Sequence, residues 1–131
     1  MSSKVLFTAK THTTHGPDGA GRSSDGFVDV KLAEPHPAAE KLFGVAWSAC
    51  YLGALGLVAG QKKIELPADA AVDAEIHLNM ENGAFFLSAI FNVSLPGLDR
   101  EVAEDLVQAA HKVCHYSKAT HGNITVETNV V

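Results

Sequence analysis

Two cysteines, Cys50 and Cys114, carry the widest range of chemistry in this chain of 131 residues. Cys50 stands in the apolar run Ala46-Trp47-Ser48-Ala49-Cys50-Tyr51-Leu52. A thiol there reads either as a small buried hydrophobe or as one half of a redox pair. Two amphipathic helices packed together would bring Cys50 and Cys114 within bridging distance. The chain between them is no obstacle, because the cost of closing a loop grows slowly with its length. In a reducing compartment such a pair is more often catalytic, metal-binding or inert than a structural staple.

His111, Cys114 and His115 suggest a different chemistry. Positions i and i+4 share a helix face, and imidazole and thiolate are good zinc ligands. A small metal-binding module on these three residues, leaving Cys50 idle, is therefore the alternative reading. A closed zinc site needs a fourth ligand, however. The chain has no Cys-x-x-Cys, and His12, His15, His36, His77 and His121 follow no recognised metal spacing. A serine hydrolase has less support, since there is no G-x-S-x-G elbow. Gly16, Gly19 and Gly21 form G-x-x-G-x-G, which lacks both the dinucleotide spacing and a Walker lysine.

The elements that must position these residues follow from periodicity. Val28, Val30 and Leu32 alternate with polar neighbours, and Val5 to Thr14 reads as the partner strand of a hairpin. The connection from His15 to Gly26 is rich in Gly and Pro and reads as a lid-like loop. After Pro35 and Pro37 the period becomes helical. Leu42, Phe43, Ala46, Trp47, Cys50, Ala54 and Leu57 share a broad face of a helix that ends near Gly60. Val72, Ala74, Ile76 and Leu78 alternate up to Asn82-Gly83, a two-residue hairpin turn, and Leu87, Ala89, Phe91, Val93 and Leu95 line the return strand. Asp99 is placed to cap a second helix with the stripe Val102, Leu106, Ala109, Ala110 and Val113, running to about Tyr116. Ile124 to Val130 closes the chain as a last strand. Strands, helix, strands, helix and strand make an α+β domain.

Composition narrows the class. The length fits a single domain, 1–131. Fifteen acidic residues against ten Lys and Arg give a net charge of −5, the wrong sign for a phosphate-backbone binder. Leu42 to Gly60 holds many polar and small residues, which argues against a membrane span. The start Met1-Ser2-Ser3-Lys4-Val5-Leu6-Phe7 carries no export pattern, so the expected compartment is the cytoplasm.

Three blocks then carry a family resemblance: Leu42-Phe43 followed by Ser48-Ala49-Cys50; Leu95-Pro96-Gly97-Leu98-Asp99-Arg100; and Val113-Cys114-x-Tyr116-Ser117-x-Ala119-Thr120-x-Gly122-Asn123-Ile124. Together they resemble the organic hydroperoxide resistance proteins of the OsmC superfamily, over most of the chain. The resemblance implies an intertwined homodimer in which two antiparallel sheets wrap two central helices. It implies a thiol peroxidase needing no metal or cofactor, with an organic hydroperoxide as substrate and a lipoylated protein or other dithiol as reductant. Cys50 then maps to the peroxidatic cysteine, Cys114 to the resolving cysteine and Glu40 to the family's carboxylate. The family's arginine falls on Pro17, and Arg22 is the arginine that this loop offers instead. His115 stands where the family usually has proline, His121 where it usually has arginine, and Ala38-Ala39 replaces the usual Asn-Pro.

That chemistry sets two geometric demands. A buried thiol has its pKa raised, so Cys50 needs a nearby cation to be a thiolate. Ten residues of continuous helix span about 15 Å, so Glu40 meets Cys50 only if the helix starts later and Glu40 folds back, or if another subunit supplies it. Trp47, Tyr51 and Phe43 are candidates for an apolar slot beside the thiol.

Overall fold

A computed structural model describes residues 3–32 and 38–131. The chain divides into two compact units, Met1–Ala39 and Glu40–Val131. His36 and the prolines before the first helix lie outside the described residues.

In the first unit, β1 (Thr11–Thr13), β2 (Ala20–Ser23) and β3 (Asp29–Lys31) form an antiparallel sheet in that order. The expected lid is thus partly a strand: Gly21 pairs with Thr13 on one side and Val30 on the other. Ala-Gly-Arg-Ser has no β-branched or aromatic residue, so its own preference hides a strand that its two neighbours impose. Gly19 makes the turn before β2 possible, since a Cβ there would sit 2.8 Å from the Thr14 carbonyl oxygen. The turn after β2 is closed by Asp25, which accepts from the Ser23 hydroxyl at 2.6 Å and the Phe27 N–H at 3.0 Å. The hydroxyl first and the N–H next hold its carboxyl below the usual range.

The second unit is built on α1 (Ala38–Gln61), a helix 24 residues long. Trp47, Tyr51, Leu55 and Val58, spaced by four and three, form its fully or nearly fully buried stripe. Leu42 and Leu57 are exposed, so the buried face is narrower than the broad face read from the sequence. By length and composition α1 is apolar enough to cross a bilayer, with a mean hydropathy of 1.8 over its most apolar stretch. Its polar and small residues therefore do not exclude a span on composition. Its buried stripe packs instead into the core of this unit, against Phe91 and Val93 from the sheet and Leu106 and Ala110 from the second helix.

β4 (Ala71–Glu81) and β5 (Ala84–Ser94) form the expected hairpin through Asn82 and Gly83, both at positive φ, 52° and 79°. Ala89, Phe91 and Val93 of β5 point into the core. α2 (Arg100–Val113) starts at Asp99, whose side chain makes no capping bond. It ends earlier than expected. The Cys114 N–H still donates to the Ala110 carbonyl, but the residue itself turns to ψ 118°, and a short α3 (His115–Thr120) starts in a new direction. β6 (Thr125–Val130) then pairs parallel to β5, so the second sheet is mixed and not purely antiparallel. The two helices between them supply the crossover that a parallel pair requires.

Candidate active site

Cys50 follows Trp47 by three residues and precedes Tyr51, so α1 anchors its backbone with two aromatic side chains that are completely buried. Cys114 is buried at the α2–α3 corner. The two sulfurs, both free thiols, lie 2.9 Å apart. Cys50 is partly exposed and Cys114 is 1% exposed, so solvent reaches the pair from the Cys50 side.

The corner at Cys114 determines what faces the thiols. A helix start leaves its first N–H groups without intrahelical partners. The Ser117 N–H donates to the Cys114 sulfur at 3.4 Å. The Cys50 thiol is pushed above its ordinary pKa, first by burial and next by the hydrogen bond and charge of Cys114. The backbone N–H groups of Tyr116 and His115 bond toward the Cys50 sulfur and pull the other way. The His115 ring stands beside the same sulfur, with Nδ1 at 3.5 Å and Nε2 at 3.6 Å.

Behind the thiols runs a partly buried polar chain that the sequence did not announce. Trp47 Nε1 donates to Ser117 Oγ at 3.0 Å, Ser117 Oγ is 2.8 Å from His111 Nδ1, and His111 Nε2 is 2.8 Å from Thr128 Oγ1. Tyr51 donates to the Val107 carbonyl at 2.7 Å, and burial pushes its phenol well above the usual range. Trp47 and Tyr51 are thus core residues with satisfied polar ends, and Trp47 also borders the cleft between α2, α3 and β6. Half-buried Phe43 leans on Trp47, with ring centroids 5.3 Å apart. The same chain disposes of the metal alternative. His111 is turned to Ser117 and Thr128 while His115 flanks Cys50, and among the described residues no group of three His, Cys, Asp or Glu can hold a metal ion.

Burial lowers the His111 pKa, so the native state favours the neutral ring. The unfolded chain therefore binds a proton at higher pH than the folded one, and stability falls as pH drops below the ordinary histidine value of about 6.5. We expect His111→Gln to lose less stability than the parent between pH 7.5 and pH 5, read as the difference in urea midpoint at fixed protein concentration. Equal acid losses in the two proteins would contradict this role.

Glu40 and Arg22 are placed differently. α1 is unbroken from Ala38, so Glu40 stands about 15 Å along the axis from Cys50 of the same chain. The possibility that the helix starts later and folds Glu40 back is thereby closed. Glu40 Oε2 is buried and, among the described residues, has no hydrogen-bond partner. Arg22 lies on β2, and its Nε bonds its cross-strand neighbour Asp29 at 3.0 Å, both side chains being largely exposed. A cleft of about 730 Å³ opens between α2, α3 and β6, lined by Lys112, Lys118 and His121 among others, and neither cysteine borders it.

Comparison with known proteins gives the family. The family model described as OsmC-like protein matches residues 32–129. The organic hydroperoxide resistance protein of Xanthomonas axonopodis pv. citri is 36% identical over 94% of this chain and 93% of its own length. Organic hydroperoxide resistance protein OhrB of Bacillus subtilis is 35% identical over 94% of this chain and 96% of its own. The crystal structure of that OhrB superposes with a TM-score of 0.87, covering 97% of this chain and all of the other. Family model, relatives and fold agree: the chain belongs to the OsmC-like family and, within it, to the organic hydroperoxide resistance proteins.

Proposed function

We propose that this protein is a cysteine-based peroxidase that reduces organic hydroperoxides to alcohols. The observation that supports this reading best is the direct contact of a partly exposed thiol, Cys50, with a buried one, Cys114. In the cycle, the Cys50 thiolate attacks the terminal peroxide oxygen and becomes a sulfenic acid, releasing the alcohol. Cys114 condenses with the sulfenic acid, expelling water and forming a disulfide. A dithiol, lipoyl groups on a protein being the chemistry in view, then returns both cysteines to thiols and is itself oxidised to a disulfide.

In this reading Arg22 supplies a guanidinium that holds the peroxide and steadies the departing alkoxide, and Glu40 orients it. Glu40 Oε2, buried and without a partner among the described residues, has an acceptor still to be filled. The distance between Glu40 and Cys50 on one helix favours a homodimer, in which the carboxylate acts at a second copy's thiol. Exposed apolar side chains, Leu57 on α1 and Met80 and Phe85 on the β4–β5 hairpin, are the kind of surface such a dimer covers. A cytoplasmic location suits the cycle, because both cysteines must be returned to thiols after each turnover.

The test counts thiols. One equivalent of cumene hydroperoxide should remove both thiols from the reduced protein, and a dithiol should restore them. Cys114→Ser should lose one thiol and stop there, with a sulfenic acid on Cys50 that dimedone labels. Two unreacted thiols in the parent after peroxide treatment would overturn the reading.

A further inference from the structure

The Cys50 thiol is held in its protonated form by burial and by Cys114, yet its proposed role requires a thiolate. Two backbone N–H groups oppose this, and neither can accept a proton. Among residues 40–131, no Lys or Arg side chain hydrogen-bonds to either sulfur; Arg100 is engaged with Glu104 and the Val130 carbonyl. Among the described residues, the one side chain bonded to the Cys50 sulfur that can both accept a proton and carry positive charge is His115. Its two ring nitrogens are almost equidistant from the sulfur, which puts the sulfur over the ring, and a rotation of the exposed imidazole about its side-chain bonds brings an unprotonated nitrogen in line with the thiol. Among the described residues, the other groups acting on the Cys50 thiol are the Cys114 thiol from the α2–α3 corner and the N–H groups of His115 and Tyr116 on α3, and the Tyr116 ring packs on that of His115 at 5.2 Å between centroids. None of them is a cation.

We infer that His115 is a further catalytic residue, one that takes the Cys50 proton and hands it to the leaving group. The inference rests on the peroxidase reading and adds a residue to it. The thiol proton moves to the neutral imidazole, leaving a thiolate beside an imidazolium, an arrangement that lowers a cysteine pKa strongly elsewhere. As the sulfur bonds to the terminal oxygen of R–O–OH, the O–O bond breaks. The alkoxide takes the proton from the imidazolium and leaves as alcohol, His115 returns to neutral, and the terminal oxygen keeps its hydrogen as the sulfenic acid. The sulfur gives up two electrons and the peroxide accepts them. Solvent access suits the role: His115 is exposed and Cys50 partly so, and the incoming peroxide approaches from that side.

The experiment is the pH profile of Cys50 alkylation by iodoacetamide, followed on the Cys50 peptide by mass spectrometry, for the fully reduced parent, His115→Ala, His115→Gln and His121→Ala. Both His115 variants retain the backbone N–H aimed at Cys50. Each should shift the midpoint of the profile upward by about one pH unit or more, the effect of removing a nearby positive charge. His121→Ala, in the cleft that neither cysteine borders, should overlay the parent. Profiles of His115→Ala and His115→Gln that overlay the parent would overturn the inference. So would a shift in His115→Ala that His115→Gln does not share, because bulk and not proton exchange would then be the cause. Alkylation consumes no hydroperoxide, so failure of the peroxidase reading, seen as thiols unchanged by peroxide, is distinguishable from failure at His115.

Discussion

Cys50→Ser should bring dithiol-dependent consumption of cumene hydroperoxide down to the rate without protein, a loss on the order of 10³-fold or more, as expected when the nucleophile itself is removed. A serine hydroxyl at that position is not ionised, and His115 cannot make it so, because the gap to be bridged is far larger than for a thiol. The fold should barely respond. Cys50 is only partly buried, the replacement is close in size, and the helix is anchored by Trp47 and Tyr51 on either side. Circular dichroism and urea midpoint near the parent's, together with absent turnover, would place the loss in the chemistry. A variant that kept a tenth of the parent rate would remove Cys50 from the mechanism.

Trp47→Ala should be the most damaging single change to stability among the residues behind the site. The ring is completely buried, packs edge-on against Phe91 at 4.8 Å between centroids, and donates to Ser117. Truncating a buried aromatic to Ala costs about 3–5 kcal/mol. That is a large share of the roughly 5–15 kcal/mol that holds a typical domain folded. The effect should extend to the thiols, because Ser117 both receives the Trp47 bond and donates its N–H to Cys114. Trp47→Phe should cost less, about 1–3 kcal/mol for the missing donor, since most of the ring volume stays. Urea unfolding of both variants at one protein concentration measures this. A loss under 1 kcal/mol for Trp47→Ala would show that the core repacks without it.

The parts of the fold that were legible in the sequence are those whose signal is local. Asn82-Gly83 announced the β4–β5 turn because a two-residue hairpin loop needs positive φ at both positions, which Asn and Gly accept. The alternation in β5 and the stripe in α2 are likewise written in single segments. What was hidden depends on distant partners. β2 takes its conformation from strands on both sides, and the parallel pairing of β6 with β5 is set by the crossover between them. No Gly or Pro marks the break at Cys114, so α2 looked continuous to Tyr116. That break explains why His115 was read with His111 as a metal pair. On one unbroken helix the two would share a face, whereas the corner leaves His111 on α2 bonded to Ser117 and Thr128 and turns His115 to Cys50. Cys50 and Cys114 stood out as the two cysteines on helices and Glu40 was named through motif resemblance, while the Trp47–Ser117–His111–Thr128 chain joins residues from four elements and has no signature in any of them.

The contact between the two sulfurs also sets up a race. In the proposed cycle a sulfenic acid on Cys50 has two fates: bonding to Cys114, or meeting a second hydroperoxide and passing to the sulfinic acid, from which a dithiol does not recover it. The first is unimolecular and proceeds at a rate independent of how much peroxide surrounds the protein. The second grows in proportion to peroxide. With the partner thiol already touching, the first is equivalent to a local thiol concentration far above any that peroxide reaches in a cell. No helix has to unwind and no loop has to close before the bond forms. The protein should therefore keep working through bursts of substrate that would inactivate a peroxidase whose second cysteine must travel to the first.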